Sequence, residues 1–174
     1  MLVVSVAAAA ALFSEGTRRA GDAAAAMVRV SAGCRVPVTL RDTGDFFVYI
    51  EEGPVPMPDS ADCTNAGLSM TNPHGIPVIG FAVATPEGVE RRVDEVRPNR
   101  RYDLGRNNGL LTSRFAGRAG ETVIVGLVAD SPDVAIAIGE NVFSVRTPWR
   151  LAAGVVLALG LLLAAGLFRA GAKR

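Results

Sequence analysis

What this chain lacks first is an excess of either charge. Its 174 residues hold 18 Lys and Arg against 17 Asp and Glu, so no basic field is available to grip nucleic acid. Lysine is nearly missing: Lys173 stands alone beside 17 arginines. With abundant alanine and glycine, that usage points to a GC-rich bacterial genome. Aromatic residues make up only 6%, which leaves Val, Ile, Leu and Ala to build a core. Histidine occurs once, at His74, and cysteine twice, at Cys34 and Cys63, a set without the ligand spacing of a zinc site. No paired carboxylates stand in a recognisable catalytic setting. Ser69 precedes His74 by five residues in Gly67-Leu68-Ser69-Met70, which is not a nucleophile elbow. The stretch 105–109, GRNNG, has neither the Lys nor the Ser/Thr of a phosphate loop. No catalytic residue is assigned and no cofactor is expected.

What is present is a long apolar run near the C-terminus. Residues 149–168 read WRLAAGVVLALGLLLAAGLF, with Arg150 as the only charge. About 18 apolar residues suffice to cross a hydrocarbon layer roughly 30 Å thick. Water is absent there, so a single spanning segment must bond its own backbone as a helix. The spacing predicts a transmembrane helix over 146–170 and a basic cytoplasmic tail over 171–174. Pro148 suits the first helical turn, where its missing N–H costs nothing. Trp149 sits where an interfacial aromatic is expected. Arg169, Lys173 and Arg174 follow the run, against Arg146 and Arg150 before it. The positive-inside rule then puts the C-terminus in the cytoplasm and the main domain outside. Gly154, Ala158 and Ala165 share one face of this helix, with Leu161 between them. Small residues let backbones approach in lipid, so this face predicts homodimerisation or docking to a partner membrane helix.

The other end is shorter. Residues 1–13, MLVVSVAAAAALF, are too few to span and no basic region precedes them. Three readings stand: part of a longer membrane helix, a signal-like segment of unusual form, or an interfacial or buried helix. Arg18 and Arg19 follow the run on the outer side, which opposes that topology. Residues 14–27 are Ala-rich with scattered charge and predict a short helix or linker, with Ser14 as its N-cap.

From residue 28 the texture changes. Val36, Val38 and Leu40 alternate with polar positions and Pro37, the period of a half-buried strand, and Pro37, which cannot donate to a ladder, predicts an edge strand or one whose N–H side faces outward there. Residues 41–45 are turn chemistry, and 46–50, FFVYI, are strongly strand-forming. Together they predict a β-hairpin. Residues 53–67 carry three prolines and predict a loop. Two cysteines in an exported chain predict a disulfide between Cys34 and Cys63, tying that loop down. Further strands are expected over 67–71, 76–84, 101–104, 110–115, 121–129 and 133–138. Turns are expected at 72–75, 85–88 and Asn107-Asn108-Gly109. Residues 89–101 fit a strand with a solvated face or a short helical turn. About eight short strands at intervals of roughly 8–12 residues predict a mainly β fold, an antiparallel sandwich or jelly roll over 28–145.

On these segments the chain resembles a loose group of bacterial, mainly actinobacterial, membrane proteins. The resembling segments are VPVTLRDTGDFFVYIEE, Cys63 with the strand and turn that follow it, LLTSRFAGRAGETVIVGLVA, and AIAIGENVF entering the anchor. In that group a small β-sandwich stands outside the membrane beside one or two membrane helices. The resemblance implies an extracytoplasmic sandwich and carries over no functional residues.

Three groups of side chains hold candidate chemistry. Met57, Met70 and His74 are soft donors suited to Cu(I) if the proline loop folds onto the turn. Asp42, Asp45, Glu51, Glu52, Asp59 and Asp62 cluster without calcium-loop spacing and read as a solvated acidic face. Arg91, Arg92, Arg97, Arg100 and Arg101 alternate with acids and read as a solvated face, or as a contact to anionic headgroups or a wall polymer. The expected function is a non-catalytic accessory or binding module of the envelope, with residues 53–66 as its contact loop. The expected partners are the bilayer and a membrane protein or second copy. A periplasmic copper-handling protein and a subunit of an envelope enzyme complex are the alternatives.

Overall fold

The computed structural model describes residues 2–52, 63, 79–104, 107–129 and 134–171. They divide into two units, one of strands over Ala25–Glu140 and one of helices from the two ends of the chain. The strands are β1 (Val28–Ser31), β2 (Arg35–Thr39), β3 (Gly44–Glu52), β4 (Ile79–Ala84), β5 (Asp94–Leu104), β6 (Asn107–Gly117), β7 (Thr122–Ala129) and β8 (Val134–Gly139). All pairings are antiparallel, in a five-stranded sheet ordered β1-β8-β3-β6-β5 and a three-stranded sheet ordered β2-β7-β4. The fold is mainly β and sandwich-like.

Alternation along each strand builds the core. Val36 and Val38 of β2 point inward between exposed neighbours, and Val123, Val125 and Leu127 point inward between half-buried ones on β7. Val30, Val48, Phe115, Ile136 and Ile138 face them from the larger sheet. Phe115 is the one aromatic fully inside this layer. β-Branched residues suit a pleated, buried surface, so a chain poor in aromatics still closes its core.

The predicted hairpin does not form. Both of its strands exist, but β2 pairs with β7 while β3 pairs with β6 and β8. The turn after Leu40 carries the chain from one sheet to the other. Val36 and Val38 thereby bury against Val48 across the layer instead of lying beside it. Pro37 does sit on an edge strand. The expected turn at Asn107 to Gly109 is also displaced. Leu104 pairs with Asn107, so residues 107–109 begin β6. The polar stretch 89–101 and the short strand after it form one strand, β5. Its register with β6 skips between Glu95 and Arg100, the interval holding Pro98, which has no N–H to donate. β1 was not expected, since its four residues are too few to show a period. The expected strand 67–71 and the turn at 72–75 lie outside the described residues.

The helical unit pairs α1 (Leu2–Ala25) with α2 (Val142–Gly171). α1 is continuous, so Ser14 lies mid-helix and caps nothing. Its stripe of Gly16, Ala20 and Ala24 is buried. α2 starts before the apolar run: the Asn141 side chain accepts hydrogen bonds from the backbone N–H of Phe143 (3.0 Å) and Ser144 (3.4 Å), a cap that outweighs the proline signal. Pro148 therefore lies inside α2, not in its first turn. Thr17 meets Arg146, Gly16 meets Trp149 and Ser5 meets Gly160, so the helices run antiparallel. A Cβ on Gly16 would come within 2.6 Å of the Trp149 Cβ, and one on Gly160 within 2.3 Å of Ser5. Each glycine is the space its partner occupies.

Cys34 and Cys63 form the expected disulfide, 29 residues apart in sequence. Closing such a loop restricts the unfolded chain by about 3–4 kcal/mol. Reduction, or Cys34→Ala with Cys63→Ala, should lower unfolding stability by about that amount in chemical denaturation of the intact protein.

Candidate functional site

The described residues hold a polar cluster on the face of the five-stranded sheet turned away from the shared core. The period-two rule puts Arg29 of β1, Ala135 and Ala137 of β8, and Tyr49 and Glu51 of β3 on that face, because Val30, Ile136 and Val48 take the inner one. Glu51 is buried, and it accepts two hydrogen bonds from Arg29, Nε at 2.8 Å and Nη2 at 3.1 Å. Such a fork geometry is the strongest form of this pairing. The Tyr102 hydroxyl of β5 donates to the same carboxylate. Its ring lies over Gly109, where a Cβ would come within 2.8 Å, and meets Tyr49 edge-on at 5.1 Å. Tyr49 in turn donates to the Glu140 carbonyl at 3.3 Å. Strands β1, β3 and β5 are thus tied through one carboxylate. Burial, reinforced by the hydrogen bond to Glu51, pushes the Tyr102 phenol well above its ordinary range. The cluster keeps charges paired.

A second feature lies on the outer face of the three-stranded sheet. A cleft of about 540 Å³ runs over Gly80, Ala82, Gly126 and Ile124, with Arg35 and Glu90 among its lining. Small side chains on neighbouring strands leave it open: Ala82 pairs with Gly126, and Gly126 with Arg35. Cys34 also lines it, so the disulfide fixes Cys63 of the expected contact loop at this cleft.

A third feature is the helical unit. Val142–Arg169 of α2 is long and apolar enough to cross a membrane. Leu151, Val155, Leu162, Leu167 and Phe168 are all well exposed. Near its beginning Trp149 carries the Arg19 guanidinium over its ring at 4.5 Å. Arg146 and Arg150 both approach the Phe13 ring, at 5.5 and 5.4 Å.

Several expected positions sit elsewhere. Gly154, Ala158 and Ala165 are exposed and lie off the face that meets α1; that contact uses Trp149, Ala153 and Gly160. Met57, Met70, His74, Ser69, Asp59, Asp62 and the rest of residues 53–66 apart from Cys63 lie outside the described residues. Glu51, read as part of a solvated acidic face, is buried instead, because its partner Arg29 comes from a strand 22 residues away. Three arginines of the run from Arg91 pair with acids: Arg91 bonds Glu121, Arg92 bonds Asp94 at 2.7 Å, and Arg97 bonds Glu95 at 2.9 Å. One signal for the cluster was readable, since Tyr49 and Glu51 are two apart on a strand and share a face.

Two outcomes test the cluster. Glu51→Ala leaves the part-buried Arg29 without its carboxylate and should destabilise the domain by about 3 kcal/mol in denaturant unfolding, with Glu51→Gln costing less because an acceptor for Tyr102 remains. Tyr102 binds its proton more tightly folded than unfolded, so its contribution is full below the ordinary tyrosine value of 10.0 and is lost as pH climbs beyond it. Phenolate absorbance should therefore show Tyr102 staying protonated past that value until the domain unfolds, and Tyr102→Phe should flatten the alkaline loss of stability.

Compared with known proteins, the chain matches no family model, no curated protein and no solved structure.

Proposed function

We propose that this chain is a membrane-anchored β-sandwich, displayed outside the cytoplasm as a non-catalytic accessory or binding module of a bacterial envelope. The observation that carries this reading is α2: most of its large apolar side chains from Leu151 to Phe168 remain exposed. A continuous apolar surface of that length is unfavourable in water and is the expected state of a segment solvated by lipid. The 28 residues of Val142–Arg169 extend about 42 Å as a helix, more than one hydrocarbon layer. A disulfide supports an oxidising compartment for the strand unit.

The sheet order supports a jelly-roll-like topology. Strands β1-β8-β3-β6 and β2-β7-β4 interleave early and late elements across two sheets, as two nested Greek keys do. After β4, Glu90 bridges to Ala84 and the Arg91 N–H bonds the Val83 carbonyl. The chain then leaves for the other sheet as β5. This short contact stands where the smaller sheet's fourth strand would run.

Loops and clefts on a rigid scaffold are the usual contact surfaces of such a module. The cleft over Ala82 and Gly126, with Cys63 fixed at it, is the surface assigned to that role. The bias of Arg169, Lys173 and Arg174 supports a cytoplasmic C-terminus; Glu15 and Asp22 pair with Arg18 and Arg19 and offset the opposing charges.

Alkaline carbonate extraction should leave the full chain in the membrane pellet. A cysteine placed at exposed Arg118 should react with a membrane-impermeant maleimide in intact cells. Release by carbonate would overturn the anchor, and labelling only after lysis would overturn the topology.

A further inference from the structure

Several arginines in this chain are paired with a carboxylate. Glu15 serves Arg18 and Arg19, Glu51 serves Arg29, and Glu121 serves Arg91. The start of α2 is different. Arg146 and Arg150 are one helical turn apart, so they share a face. Both guanidinium groups come within about 5.5 Å of the same Phe13 ring. Two like charges at that spacing repel each other. Among the described residues neither has an acidic partner. Arg146 gives one hydrogen bond, from Nη2 to the Thr17 hydroxyl at 3.3 Å, and that hydroxyl is itself held by donating to the Phe13 carbonyl at 3.0 Å. The Arg146 Nε–H is buried with no acceptor. A buried, charged donor left unpaired is costly.

The missing component is an anion with several acceptor oxygens. We propose that Arg146 and Arg150, held on Phe13 and Thr17 of α1, form a binding site for the phosphate of an anionic phospholipid headgroup. This rests on the membrane-anchored reading. Two features favour lipid over a soluble anion. The pair sits immediately before the exposed apolar run that begins at Leu151, the depth at which headgroup phosphates meet a spanning helix. Trp149, an interfacial residue type, lies between the two arginines in sequence and carries Arg19 on its ring. A headgroup at this height would accept from the guanidinium forks while its acyl chains lie along Leu151, Val155 and the exposed leucines that follow. The site needs both helices: α2 supplies the cations, and α1 supplies the ring and the hydroxyl that hold them.

The test uses the full chain in detergent micelles with added phosphatidylglycerol, phosphatidylcholine or inorganic phosphate, read by native mass spectrometry of retained lipid and by thermal unfolding. The expected result is preferential retention of phosphatidylglycerol, with a raised unfolding midpoint that phosphatidylcholine and inorganic phosphate do not reproduce. Arg146→Gln and Arg150→Gln should each weaken that preference roughly fivefold (about 1 kcal/mol per arginine near an anionic surface). Arg169→Gln, at the far end of α2, should leave it unchanged. Equal retention of the two lipids by the wild-type chain overturns the proposal without any variant. So does a preference that survives Arg146→Gln/Arg150→Gln, or protection by inorganic phosphate equal to that by lipid, which would assign the site to a free anion. Carbonate extraction separates the two levels: release from membranes defeats the anchored reading and this site with it, whereas firm integration without a phosphatidylglycerol preference defeats the site alone.

Discussion

One apolar layer, shared by strands that are neighbours in sequence, governs the β-unit. Val36 and Val38 on one side and Val48 on the other bury each other, and that forces the chain to change sheets within the few residues after Leu40. Once β2 and β3 are on opposite sides, neither can pair with the other, so each must find partners from far along the chain. β2 takes β7 and β3 takes β6 and β8. The interleaved order of both sheets follows, and with it the closeness of Cys34 to the smaller sheet's outer face. Most of the sheet contacts therefore link distant segments, a topology expected to fold slowly because loop closure precedes reward.

The larger sheet solves a different problem on its outer face. Tyr49, Ala135, Ala137 and Leu111 are buried there as well, so β3 and β8 are buried on both sides. A carboxylate in such a place is tolerable only if fully bonded. Glu51 meets that condition through Arg29 and Tyr102. The price is specificity: one acid serves three strands, and its loss leaves a cation stranded. The helical unit solves packing by subtraction, with Gly16 and Gly160 giving way to Trp149 and Ser5.

Much of this was legible from local pattern. Alternation marked β2, strand-forming residues marked β3 and β7, composition foretold a core of aliphatic residues, and the apolar run marked α2. What local pattern could not carry was pairing. Turn residues 41–44 look alike whether they join two strands of one sheet or cross between two sheets; only the burial of both flanking faces decides. Glu51 read as one acid among several because Arg29 and Tyr102 are far away in sequence. Gly154, Ala158 and Ala165 stay exposed, open to the second copy or partner helix expected of them, while α1 meets the Gly160 position. Pro148 read as a helix start because a proline signal is local, whereas the Asn141 cap lies upstream of the apolar run.

The strand least like a strand in composition, β5, occupies the border of the larger sheet. It carries Pro98, Arg100 and Arg101 where unpaired main-chain groups would otherwise invite another chain. On the smaller sheet β2 holds Arg35 and Pro37 at its own border, and the Thr85 turn folds back over the end of β4. Neighbouring copies confined to one plane, as the proposed anchoring would hold them, collide sideways far more often than molecules free in three dimensions. Borders broken by proline and studded with like charge keep those collisions from zipping into a continuous ribbon, so crowding can rise without coalescence.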